Sequence, residues 1–143
     1  MTRNNSCNHV IDITSDILFS YVTINEKKIA FVRLFGFVNP TAGSRGVAGL
    51  RFIAYGPMAE LIYAHVRRGS RVFTISHVQQ RDVEGKTYTE FVIEDCQFLR
   101  NVDWEAGAQK RDELIQRGEL VDFNKTHDDH AGGDYEGDSH VKV

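Results

Sequence analysis

Aromatic and basic residues alternate along two neighbouring segments of this chain. Between residues 29 and 38 the phenylalanines occupy odd positions together with an arginine, and between residues 50 and 55 an arginine and a tyrosine do the same. Because side chains of a strand point alternately to its two faces, each set shares one face if these segments are strands. Aromatic rings stack on nucleobases, and an interleaved arginine can pair with phosphate or stack itself. The pattern predicts a single-strand-binding surface made of Phe31, Arg33, Phe35, Phe37, Arg51 and Tyr55.

Other arginines lie on segments that look like turns. Arg45, on a Gly-rich loop, and Arg81, at a hairpin end, are further candidates for phosphate contact. Arg67, Arg68 and Arg71 cluster around Gly69, where cations favour a helix C-terminus, so a structural role is the stronger interpretation for them. A different interpretation of the phenylalanines also stays open: they could pack against a second copy of the protein or the C-terminal helix, or the two faces could be reversed.

The sequence shows no recognisable catalytic motif. There is no Gly-rich phosphate loop followed by Lys and Ser/Thr, and no nucleophile elbow, so we expect a binding protein and no enzyme. His127 and His130, beside Asp128 and Asp129, form the one ligand-like cluster. A structural zinc site needs four ligands held by a fold, so no metal and no cofactor are expected. Cys7 and Cys96 are too few for a disulfide scaffold.

The composition predicts one domain, followed by a C-terminal region of different charge. The chain has 143 residues, a net charge of -3 and 41% hydrophobic residues. Residues 1–102 carry 12 basic and 9 acidic side chains, whereas residues 103–143 carry 5 and 11. A mildly basic domain beside an acidic tail suits a polyanionic partner. With no apolar run of membrane-spanning length and no signal or transit pattern, we expect a cytoplasmic, nucleoid-associated protein that does not enter a membrane.

The order of elements predicts the fold. A composition typical of strands is found in residues 17–24, 29–38 and 50–55. Apolar residues then recur at helical spacing within 59–66, and another strand pair is predicted at 70–82 and 86–99. Five strands with one helix between the third and fourth is the layout of an OB-fold, a five-stranded Greek-key barrel. The predicted divisions are an N-terminal arm (1–15), the barrel (16–102), a helical extension capped by Asp103 (103–123) and a disordered acidic tail (124–143).

An ordered series of short motifs resembles one family. Tyr55-Gly56-x-x-Ala59-Glu60 is followed by Arg68-Gly69-Ser70-x-Val72, and then by Arg81, Gly85, Thr89-Glu90 and Phe98-Leu99. This series, over about residues 49–100, is similar to that of the bacterial-type single-stranded DNA-binding proteins. The resemblance implies an OB-fold that wraps single-stranded DNA without sequence preference, during replication, recombination or repair, and assembles as a dimer or tetramer. It places Tyr55 at the family's central stacking position, and Arg51 and Arg81 along its DNA path.

The departures from this family pattern suggest a divergent member. Gly49 and Val83 stand where the family often has aromatic residues, and the tail ends in Ser139-His140-Val141-Lys142-Val143, without the family's acidic tip closing in Pro-Phe. We expect a phage, plasmid or accessory protein whose acidic tail could contact replication proteins. Two alternatives remain: an OB-fold assembly subunit of a primosome-like complex, and a single-stranded RNA-binding protein, since stacking does not read the 2′-hydroxyl.

Overall fold

The computed structural model describes residues 5–39 and 45–120. This part of the chain forms six strands and two helices, in the order β1 (Cys7–Ile13), β2 (Leu18–Ile24), β3 (Lys27–Val38), β4 (Val47–Tyr55), α1 (Gly56–His65), β5 (Arg71–Val83), β6 (Lys86–Arg100) and α2 (Trp104–Gln116). Pro40–Ser44 of the predicted glycine-rich loop, and the tail predicted over 124–143, lie outside the described residues.

The sheet closes into a barrel through its first strand. Its order is β1-β5-β6-β4-β3-β2, and β1 also pairs with β3, so β1, β3, β4, β6 and β5 form a ring. Helix α1 stands between the third and fourth strands of this ring, which is the predicted OB-fold arrangement. β2 pairs only with β3 and extends the sheet beyond the ring as a sixth strand.

The predicted N-terminal arm of residues 1–15 contains a strand of the barrel. Residues 7–13 form β1, the first strand of the ring, and residues 18–24, predicted to be that strand, are the added β2. β1 is held on both sides, with Ile11 opposite Val72 of β5 and opposite Val38 of β3. Ile11 and Ile13 are buried in the core, so leaving them in a solvated arm would forgo about 1.5–3 kcal/mol of burial each.

Two-residue turns join both long hairpins. Asn25 and Glu26 have φ of 52° and 65°, and Glu84 and Gly85 have φ of 51° and 81°. Positive φ at both central residues is typical of a type I′ turn, whose twist matches that of the strands it joins. The first of these turns is shorter than the four-residue turn predicted at 25–28, and β3 therefore begins at Lys27.

The C-terminal helix packs against α1. Asp103 caps α2 by accepting a hydrogen bond from the Ala106 backbone N–H at 3.0 Å, as the sequence predicted. Arg117, just after α2, donates to Glu60 of α1 at 2.8 Å. Within the described residues, no helix is long and apolar enough to cross a membrane. Both cysteines are free thiols, and burial raises the pKa of Cys96.

Candidate nucleic-acid interface

The two faces of β3 divide as the alternation predicts. Ala30, Val32, Leu34 and Gly36 are buried inside the barrel. Phe31, Arg33, Phe35 and Phe37 lie on the opposite face and are partly exposed. A Cβ added at Gly36 would lie 3.2 Å from Ile11, so the small residue lets β1 cross closely over the inner face. The aromatic residues of β3 are therefore left on the outside, because this strand turns its small and aliphatic side chains to the interior.

The register of β4 brings its outward residues beside those of β3. Phe31 is opposite Tyr55, and their ring centroids lie 5.3 Å apart. Phe35 is opposite Arg51, whose guanidinium carbon lies 5.5 Å from the centre of the phenyl ring. Tyr55 stays at the surface because β4 ends there: the chain turns at Gly56, with φ of 68°, where α1 begins, and Pro57 follows in the first turn of the helix. Four predicted residues thus form two cross-strand pairs on one outer face.

A tyrosine that the sequence analysis did not select completes this surface. β4 runs parallel to β6, with Phe52 opposite Phe91, and this pairing brings the first half of β6 beside Arg51. The guanidinium carbon of Arg51 lies 4.5 Å from the ring centre of Tyr88, so it is held between two aromatic rings. Such cation–π contacts orient the guanidinium with its face against the rings. We call Phe31, Phe35, Arg51, Tyr55 and Tyr88 the outer platform.

One carboxylate lies at the edge of the outer platform. Glu90 accepts hydrogen bonds from Arg81 at 2.9 Å and from Gln79 at 3.0 Å, and it also forms an ion pair with Arg51 at 4.0 Å. Its side chain is completely buried, whereas that of Arg81 is 44% exposed. Arg81, which was predicted to contact phosphate, therefore lies next to the outer platform and is already paired with a carboxylate of the protein itself.

Arg33 and Phe37 share this outer face of β3, whereas Arg45 lies on the segment that leads into β4. The guanidinium carbon of Arg33 is 5.8 Å from the ring centre of Phe35, and Arg33 makes no ion pair within the described residues. The Phe37 ring covers Gly46, where an added Cβ would overlap it, so this phenylalanine packs on the chain leading into β4. Arg45 is exposed beside Gly46. Phe37 therefore lies at the end of β3 against the segment that also carries Arg45.

Two of the three arginines around Gly69, Arg68 and Arg71, have acidic partners. Arg71 makes two hydrogen bonds to Asp12 of β1, at 2.7 and 3.0 Å, and these bonds hold the pKa of the Asp12 carboxyl below its usual value. Arg68 forms an ion pair with Asp16 at 3.4 Å. These contacts are ion pairs with Asp12 and Asp16, whereas the interpretation from the sequence was an interaction with the helix C-terminus. No group of three or more His, Cys, Asp or Glu side chains within residues 5–39 and 45–120 is placed to hold a metal ion.

Comparisons with known proteins agree on the fold. The SSB domain of a Synechococcus protein aligns with a TM-score of 0.55 and 14% identity over 68% of this chain and 98% of its own. The mitochondrial single-stranded DNA-binding protein Rim1 of S. cerevisiae gives 0.54 and 16%, over 70% of this chain and 98% of its own. The dimeric N-terminal domain of PriB from Thermoanaerobacter tencongensis gives 0.53 and 15%, over 69% and 100%.

These similarities confirm the OB-fold. No family profile and no curated protein matches the chain by sequence. At 14–16% identity the similarities concern the arrangement of the backbone, so the role of the outer platform has to be argued from its own chemistry.

Proposed function

We propose that this protein binds single-stranded DNA without sequence preference through the outer platform. The observation that carries the proposal is the set of four aromatic rings, two of them beside Arg51, on one partly exposed face of three strands. Every base has a flat π-face, so stacking on such rings accepts any sequence, while Arg33, Arg51 and Arg81 supply charge for the backbone. The fold shared with two proteins described as single-strand binding supports the same role.

The test is the affinity for fluorescently labelled oligo-dT at two salt concentrations. Phe35→Ala and Tyr55→Ala should each weaken binding by about 1–3 kcal/mol, which is roughly five- to 150-fold. Tyr63→Ala is the matched control, because Tyr63 is 52% exposed on α1 and stacks on Phe19, away from the outer platform. Binding should also weaken as salt rises, since phosphate contacts release counterions. No binding of oligo-dT at low salt would overturn the proposal.

The same titration separates the two alternatives. Equal affinity for oligo-rU and oligo-dT would extend the function to RNA, because stacking does not read the 2′-hydroxyl. Unchanged binding in Phe35→Ala and Tyr55→Ala, together with a smaller assembly, would favour an assembly subunit whose aromatic face meets protein. We expect oligo-dT to bind and duplex DNA to bind much more weakly, because paired bases cannot stack on the rings.

We also propose that the protein is a homo-oligomer. Within the described residues, one edge of β2 is unpaired, and Leu18, Tyr21 and Ile24 on this strand are 42%, 54% and 41% exposed. A strand edge with free backbone groups and apolar side chains favours pairing with another chain. Light scattering should therefore give a mass of two or four chains, and Leu18→Lys with Ile24→Lys should reduce it. A mass of 16.2 kDa for the unchanged protein would exclude the oligomer.

Roles in replication, recombination or repair follow only if the DNA binding holds. The acidic residues of 124–143 are proposed as the contact for replication proteins, and a pull-down with and without this segment tests that contact.

A further inference from the structure

Glu90 is unusual among the outward residues of β6. It lies in register with Gln79 of β5 and accepts that side chain's hydrogen bond at 3.0 Å. Although it belongs to the face that carries the outer platform, its side chain has no exposed surface. A buried carboxylate is costly unless it is paired, and Glu90 has two guanidinium partners, Arg51 and Arg81.

The two arginines hold Glu90 in different ways. Arg51 is 20% exposed, sits between the rings of Phe35 and Tyr88, and approaches Glu90 to 4.0 Å. Arg81 is 44% exposed and makes the closer contact, at 2.9 Å. Arg51 is therefore fixed by its stacking partners, whereas Arg81 reaches Glu90 from the surface and can leave it without moving through protein.

We propose that Glu90 acts as an internal substitute for a DNA phosphate, which occupies Arg81 until a strand binds. This inference rests on the proposed function and adds to it an affinity-limiting residue. On binding, a backbone phosphate takes over the charge-assisted hydrogen bond from Arg81, and Gln79 and Arg51 continue to satisfy Glu90. The exchange sets the affinity below the value that an unpaired Arg81 beside the rings would give.

Glu90→Gln tests the exchange, because it keeps the shape of the side chain and removes the charge. Arg81 then faces an amide and is free for phosphate, so oligo-dT should bind about three- to tenfold more tightly at low salt. The gain should shrink as salt rises, and it should disappear when Arg81→Gln is also present. Glu84→Gln is the control: Glu84 lies in the β5–β6 turn and carries the same charge without contacting an arginine within the described residues, so affinity should change less than about twofold.

Arg81→Gln alone provides a second measurement that does not alter a buried residue. If phosphate takes over Arg81, the slope of log affinity against log salt should become shallower by about 0.7. The exchange is overturned if this slope is unchanged, or if folded Glu90→Gln binds no more tightly than the unchanged protein. If Glu90→Gln does not fold by circular dichroism, the Arg81→Gln slope decides. Absence of any oligo-dT binding by the unchanged protein would instead overturn the proposed function itself, and the exchange with it.

Discussion

Tyr88 is the aromatic residue of the outer platform that lies nearest to Arg51. Its ring centre is 4.5 Å from the guanidinium carbon of Arg51, compared with 5.5 Å for Phe35. We expect Tyr88→Ala to weaken oligo-dT binding by about 1–3 kcal/mol, because one stacking surface is lost and Arg51 is released from one ring. Fluorescence anisotropy with labelled oligo-dT measures the loss, and a thermal unfolding curve shows whether the fold is retained.

Tyr88→Phe is the matched control for this prediction. It keeps the ring and removes only the hydroxyl, so its affinity should stay within about twofold of the unchanged protein if stacking is the dominant contribution. A large loss in Tyr88→Phe would assign the effect to the hydroxyl. Unchanged binding in Tyr88→Ala would restrict the interface to β3 and β4.

His65 makes the stability of the α1–α2 contact depend on pH. Its ring stacks on Phe98 with centroids 3.8 Å apart, and its Nδ1 lies 2.8 Å from the Leu61 carbonyl oxygen. Burial lowers the pKa of His65 from its usual 6.5, outweighing the opposing effect of the bond to Leu61, and burial lowers the pKa of His9 in the same direction. In the range between the two pKa values of each histidine, the unfolded chain therefore binds more protons than the folded one.

The free energy of unfolding should consequently be constant above about pH 7 and fall as the pH drops through 6.5 toward the lowered pKa. Urea unfolding at about pH 7.5 and about pH 5.5 measures this change. His65→Phe should make the difference in unfolding free energy between the two pH values smaller, and the contribution of His9 should remain. An identical pH dependence in His65→Phe would contradict the assignment to His65.

Helix α2 comes very close to α1 at one residue, Gly107. Gly107 faces the imidazole of His65, and a Cβ at this position would overlap the ring, which cannot move aside because it is stacked on Phe98. Alanine favours a helix by about 1 kcal/mol over glycine, but this overlap should outweigh the gain. Gly107→Ala should therefore lower the melting temperature by several degrees and shift the emission of Trp104, the single tryptophan.

Gln109→Ala is the control for this prediction, because it introduces the same residue on the exposed side of α2. A melting temperature in Gly107→Ala equal to or above that of the unchanged protein would show that α2 can shift away from α1 at little cost.

Some elements could be predicted from local sequence and others could not. The faces of β3 are readable because small and aliphatic residues sort cleanly from phenylalanine and arginine along one strand. β1 was missed because its partners, Val38 and Val72, are distant in sequence and a short segment with Asn8, His9 and Asp12 looks polar in isolation. The role of Tyr88 was missed for the same reason, since only the parallel pairing of β4 with β6 places it beside Arg51.

At the scale of the whole molecule, charge is divided between the barrel and the C-terminal segment. Residues 124–143 carry five acidic and two basic side chains, a net charge of -3, which equals the net charge of the entire chain. The outer platform and its surroundings contribute Arg33, Arg51 and Arg81 against Glu90. If the proposed DNA binding holds, we expect the covalently attached acidic segment to compete electrostatically with DNA phosphates for this basic face, because attachment gives it a high effective concentration.

Replacing Asp128, Asp129, Asp134, Glu136 and Asp138 by their amides should therefore tighten oligo-dT binding several-fold at low salt. The difference should vanish at high salt, because exposed charges are screened within about 3 Å at 1 M. A variant with residues 124–143 in scrambled order keeps the charge and should bind like the unchanged protein. If scrambling alters the affinity as much as neutralisation does, the segment acts through its specific sequence, and the electrostatic explanation is wrong.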